Sequence, residues 1–199
     1  LPVYYRKLAG NISDVSTIRQ LIRDLSFLEI DKVKLVMDRG FYSEANVNSL
    51  YKDHLKFLIA VKTSLTFVRN ELDKIYDGFR SFDCYSEKYE LYAKTVTTEW
   101  NYQLERPYKG DTIKDKRRLY IHYYYNIDKA ADDEKSFDRN LIELRRELET
   151  GKPVAEHEKA YKKYFTIKTT PVRGTKATIN EQAVAKAKRY FGFFSLISN

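Results

Sequence analysis

The stretch Val36-Met37-Asp38-Arg39-Gly40-Phe41-Tyr42-Ser43 sets a carboxylate directly after a short apolar run and two residues before a glycine. At the carboxyl end of a strand in an open α/β sheet, side chains project into a crevice framed by loops and helix N-termini, so an acid at position 38 is well placed for catalysis. The same spacing is also ordinary turn chemistry. A carboxylate there accepts nearby backbone N–H groups while Gly40 supplies an awkward dihedral. On spacing alone the turn reading has the greater weight, and the rest of the chain has to decide between the two.

Other chemistry has less to build on. Three histidines, His54, His122 and His157, fall on separate elements, and Cys84 is the only cysteine, which excludes an internal disulfide and makes a thiolate-rich zinc site improbable. Seven glycines leave no glycine-rich phosphate loop, and no nucleophile elbow or zinc-protease helix is present. Tyr123, Tyr124 and Tyr125 beside His122 offer rings for stacking on bases, but such a run more often alternates in and out of a core.

The elements that must position Asp38 follow from apolar spacing. Residues 1 to about 9 read as a strand, Gly10-Asn11 as a turn, and Ser13 or Asp14 as the cap of a helix with Val15, Ile18, Leu21, Ile22 and Leu25 on one face. The strand Val33 to Met37, a helix from about Ser43 to Tyr51 and a buried strand Phe57 to Val61 complete a β-α-β-α-β alternation, which builds a parallel or mixed sheet. Residues 64 to 77 read as helix. From about 79 to 125 the chain reads as a small antiparallel β-rich lobe with a basic loop at 106–118. Helices are expected over 132–149 and about 155–164, then a strand at 166–170 broken by Pro171 to Gly174, a helix capped by Asn180, and a closing strand.

Lys and Arg exceed Asp and Glu by 36 to 28, a formal +8, and 43% of the residues are hydrophobic, enough for a folded core. A positive excess of this size attracts polyanions, nucleic acid first among them. It is steepest between Glu158 and Arg189, where nine basic residues face two acids. The longest apolar run is far too short to span a bilayer, and no signal-peptide pattern opens the chain, so a cytoplasmic or nucleoid-bound protein is expected. The chain has no starting Met and begins and ends within strand-like sequence, which reads as a piece of a longer protein.

The Asp38-Arg39-Gly40-Phe41-Tyr42-Ser43 unit, with Pro2 to Gly10 and Gly10-Asn11-Ile12-Ser13-Asp14 before it and Arg189 to Asn199 closing the chain, resembles the DDE transposases of bacterial insertion sequences, of the insertion-sequence-four type. The resemblance is good over residues 1–62 and 178–199 and weak between them. It implies an α/β fold, a partial ribonuclease-H-like core at 1–62 and 178–199, interrupted at 63–177 by a β-rich and helical insertion. It implies that Asp38 is the second acid of a catalytic triad that holds Mg²⁺, whose first Asp precedes Leu1 and whose Glu, in a Tyr-Arg-Glu-Lys helix, follows Asn199. In such enzymes two metal ions activate the nucleophile and stabilise the leaving oxygen of a phosphoryl transfer.

The implied activity is metal-dependent DNA strand cleavage and transfer, with 1–199 alone inactive and without tight Mg²⁺ binding. The implied partners are DNA, at transposon ends and target, and a second protomer in a synaptic dimer. Candidate DNA contacts are Arg39, the basic loop with Arg106, Lys109, Lys114, Lys116, Arg117 and Arg118, and Lys162, Lys163, Arg173 and Lys176. The competing readings are a nucleic-acid or protein binding module derived from a transposase, and another Mg²⁺-dependent nuclease of the same fold.

Overall fold

A computed structural model describes residues 14–28, 33–105, 112–170 and 174–199. The expected first strand, the Gly10-Asn11 turn and the Ser13 cap lie outside the described residues. Two compact units divide the chain: one takes the described residues of 1–85, 93–124 and 194–199, the other those of 86–92 and 125–193.

In the first unit, helix α1 (Asp14–Phe27) is followed by strand β1 (Lys34–Met37), helix α2 (Glu44–Lys52), strand β2 (Lys56–Val61) and helix α3 (Thr66–Ile75). The short strand β3 (Tyr85–Ser86) and two long strands, β4 (Leu91–Glu105) and β5 (Thr112–Tyr125), come next, and strand β8 (Phe193–Ser198) returns much later; Ser86, Leu91, Tyr92, Tyr125 and Phe193 at their ends count with the second unit. These strands form one six-stranded sheet in the order β1-β2-β8-β5-β4-β3. β1 runs parallel to β2, with Val36 opposite Leu58, and β8 runs antiparallel to β2, with Leu58 opposite Ser198.

The strands β4 and β5, expected in a separate lobe, therefore extend the main sheet. The basic segment expected as a loop up to residue 118 is strand from Thr112 onward. β4 and β5 join the main sheet because β5 pairs on one side with β8, which follows it by some seventy residues and leaves no mark on local periodicity; on its other side β5 pairs with β4.

One face of this sheet carries the core. Phe57, Ile59, Leu119, Ile121, Tyr123 and Ile197 are buried there, as are Val47 and Leu50 of α2 and Val68 and Leu72 of α3. Each such side chain contributes about 1.5–3 kcal/mol on leaving water. The Tyr123 hydroxyl donates to the Val68 carbonyl at 2.6 Å, and Trp100 Nε1 donates to Asn48 Oδ1 at 2.8 Å, tying β5 to α3 and β4 to α2. The alternate positions face the other way, with Leu58, Ala60 and Leu196 half-buried and Val36 73% exposed. Tyr123 and Tyr125 point into packed surroundings while Tyr124 stacks on Phe194, so the tyrosine run alternates as a strand does.

The second unit is built on helix α4 (Ile127–Glu149), which starts earlier than expected because the Asn126 side chain accepts the Lys129 N–H at 2.7 Å. Helix α5 (Glu158–Tyr164) follows, then the hairpin β6 (Phe165–Thr170) and β7 (Gly174–Ile179), and helix α6 (Glu181–Lys188), capped by Asn180 as expected. Leu141, Leu144, Leu148, Tyr161, Phe165, Ala177 and Val184 form its core. Apolar spacing does not predict strand β7. Its mixture of Gly, Thr and Lys is mostly exposed and gives little apolar signal.

Candidate functional site

β1 ends at Met37, and Asp38 follows in extended geometry (φ −74°, ψ 167°) as the cap of a 3-10 turn, Arg39–Phe41. One oxygen of its carboxylate accepts the Arg39 N–H at 2.6 Å. The turn is fixed from the other side by Asn46, which is buried and donates from Nδ2 to the Phe41 carbonyl at 2.9 Å. Ser43 then opens α2 by accepting the Asn46 N–H at 3.1 Å. The sequence thus places an exposed carboxylate on a short, well-braced connection between a parallel strand and a helix. Gly40 lies inside the 3-10 turn and is not among the described glycines of positive φ, so its conformational freedom is not what the turn requires.

Asp38 offers hard oxygen donors, and the oxygen not bonded to Arg39 has no hydrogen-bond partner among the described residues. That suits a divalent cation that keeps several waters. Among the described residues, however, no group of three or more His, Cys, Asp or Glu side chains is placed to hold a metal ion. The described residues therefore fit one part of a metal site and do not form a whole one.

The family model described as "Transposase DDE domain" matches residues 1–177. The chain belongs to the transposase DDE domain family. No curated protein and no solved structure matches it. Membership makes DNA the substrate class for which the remaining candidate residues have to be weighed.

The basic candidates fall into two sets. Lys114, Lys116, Arg117 and Arg118 are exposed on β5 in the first unit. Lys116 pairs with Glu99 at 2.6 Å, and Arg117 reaches Asp115 at 3.1 Å and lies 5.2 Å from the centre of the Tyr102 ring. Lys116 is held above the usual lysine range by its Glu99 partner. Arg118 makes no ion pair among the described residues, and its carbonyl accepts the Tyr51 hydroxyl at 2.6 Å. Burial pushes the Tyr51 hydroxyl up to about 12, against the pull of Arg117, so it stays a donor.

Lys162, Lys163 and Lys176 belong to the second unit. Lys162 is paired with Glu158, and Lys163 lies over the Tyr164 ring, while Lys176 is exposed opposite Lys168 in the hairpin. Arg39 is exposed beside Asp38. Arg106, Lys109 and Arg173 lie outside the described residues.

Two further residues, His54 and Lys56, line a cleft with Arg117 and Arg118. No local signal marks them, because they meet β5 only through the order β2-β8-β5. No helix among the described residues is long and apolar enough to cross a membrane.

Proposed function

We propose that the chain supplies part of the catalytic core of an insertion-sequence transposase of the insertion-sequence-four type, acting in the cytoplasm on transposon-end and target DNA. Asp38 is one of three carboxylates of a ribonuclease-H-like metal site, and the other two come from sequence flanking 1–199. Residues 63–177 are then the insertion, with the long strands β4 and β5 growing out of the core sheet. What carries this reading is the exposed, braced position of Asp38 at the carboxyl end of a parallel strand, inside the stretch that the family model matches. When bound, Mg²⁺ supplies charge stabilisation for phosphoryl transfer. The chain's own contributions are the oxygen donor at Asp38, the Arg39 cation beside it, and basic residues that hold the DNA backbone. A synaptic dimer is part of the same reading.

The test is cleavage of plasmid DNA by a chain extended at both ends through an upstream strand-end Asp and a downstream Tyr-Arg-Glu-Lys helix. Asp38→Asn is expected to lower that cleavage by about 1,000-fold or more, equivalent to about 4 kcal/mol of transition-state stabilisation. Residues 1–199 alone are expected not to cleave. Cleavage by 1–199, or cleavage indifferent to Asp38→Asn, sinks the reading and favours a binding module or a different nuclease centre.

A further inference from the structure

A cleft of about 570 Å³ opens in the first unit where β2 begins, lined by Tyr51, His54, Lys56, Arg117, Arg118 and Tyr120. His54, in a left-handed conformation (φ 53°), lies between the end of α2 and the start of β2 and lines the cleft. The Tyr51 hydroxyl bridges to the Arg118 carbonyl at 2.6 Å and holds α2 against β5 there. Asn199 also borders the cleft, and its amide is occupied with Phe57 N–H (3.1 Å) and Leu55 carbonyl (3.0 Å), which fixes the start of β2.

Two of the cations in this cleft, Lys56 and Arg118, are uncompensated by side-chain acids. No acidic side chain lines it, and Lys56 and Arg118 are exposed and make no ion pair among the described residues. Lys34 lies beside Lys56 in the β1–β2 register and adds to the same field. Arg117 is the exception, since it shares Asp115. Cations gathered on a concave surface without acidic side chains repel one another, and a polyanion removes that cost while releasing its own counterions.

The position matters as much as the charge. Met37 is level with Ile59, so Asp38 lies four residues further along the strands than Lys56, about 13 Å at strand rise. That is too far for the cleft to touch the phosphate at Asp38. It is within reach of the same DNA a few base pairs along, given about 3.4 Å of axis per base pair.

We propose that this cleft is a second DNA-binding site, remote from Asp38, in which Lys56 and Arg118 grip the phosphodiester backbone and the Tyr51 and Tyr120 rings line the walls. It rests on the reading that the chain handles DNA, but not on Asp38 being catalytic.

The experiment is fluorescence anisotropy of a labelled 20-base-pair duplex with chain 1–199 over a series of salt concentrations. The unsubstituted chain should bind, and Lys56→Gln/Arg118→Gln should reduce the slope of log affinity against log salt by about 2. At 0.1 M salt that is a loss of about 60-fold, fading towards none at 1 M. Lys56→Arg/Arg118→Lys should bind like the unsubstituted chain, and Lys74→Gln/Lys135→Gln, which removes as much charge elsewhere, should keep the slope within about half a unit. Inorganic phosphate at matched ionic strength should not displace the duplex; displacement would make this a site for small phosphates and overturn the proposal. An unchanged slope in Lys56→Gln/Arg118→Gln, or no duplex binding by the unsubstituted chain, also overturns it. Neither result touches the Asp38 reading, which the cleavage assay decides separately.

Discussion

The Asp38 carboxylate accepts the backbone N–H of Arg39 at 2.6 Å, so the residue that marks the candidate catalytic position also caps the turn that carries it. The two roles separate by substitution. Asn keeps a side-chain oxygen for the Arg39 N–H and loses only the charge, whereas Ala loses both. Asp38→Ala should cost about 1 kcal/mol in urea unfolding and Asp38→Asn less than about 0.5 kcal/mol. Equal costs for the two would mean that the carboxylate is needed for the turn itself.

Gly192 has a positive φ of 80°, and a Cβ there would sit 2.7 Å from Ala130 Cβ and 2.8 Å from the Asn126 carbonyl oxygen. Its own N–H donates to Asp133 Oδ2 at 2.9 Å, and its carbonyl accepts from Asn126 N–H at 3.1 Å. Backbone strain and overpacking therefore add. Gly192→Ala should destabilise the second unit by about 2–5 kcal/mol in thermal unfolding. A loss below about 1 kcal/mol would show that the loop moves aside.

The pKa values of two histidines are shifted in opposite directions. His157 donates to Glu147 at 2.9 Å, and this hydrogen bond holds its pKa above the usual value, while hydrogen bonds from Tyr161 and His157 hold Glu147 below the usual carboxylate range. Their contribution to stability is lost on the acid side as pH falls through the depressed Glu147 value. It is lost on the alkaline side as pH rises through the raised His157 value. His122 joins Thr95 and Ser198 through its two ring nitrogens, each at 2.9 Å, and burial followed by the nearby Lys34 lowers its pKa. Its contribution is present above the ordinary histidine range and is lost as pH falls from there through the lowered folded value. NMR titration should find His157 protonated at higher pH than His122; the reverse order would contradict both assignments.

Tyr123→Phe removes the hydroxyl that bonds the Val68 carbonyl while leaving the ring in the core. The expected loss is about 1 kcal/mol. Phe at this position matching Tyr in chemical unfolding would show that the bond between β5 and α3 contributes nothing net.

Local features were legible in the sequence. The strand before Asp38, the helix start near Ser43, the Asn180 cap and the closing strand at 193–198 each carry their own signal in apolar spacing or capping chemistry. Strand order was not legible, because β8 lies between β2 and β5 for reasons no window of neighbouring residues contains. Asp38 was legible as a residue to suspect, whereas Lys56 and His54 became visible only once β2 and β5 were placed in one sheet.

The position of β8 bears on how the chain folds as it is made. β2 and β5 do not touch in the sheet order; each pairs with β8, whose residues emerge only after the whole second unit has been synthesised. Until then the first unit consists of two unjoined half-sheets with open edges, exposed to mispairing. Closing it requires a contact between Ile59 and Ile197, far apart in sequence, and long-range closure of that kind is slow. The second unit can mature early, while the sheet of the first unit waits for β8 to join β2 to β5.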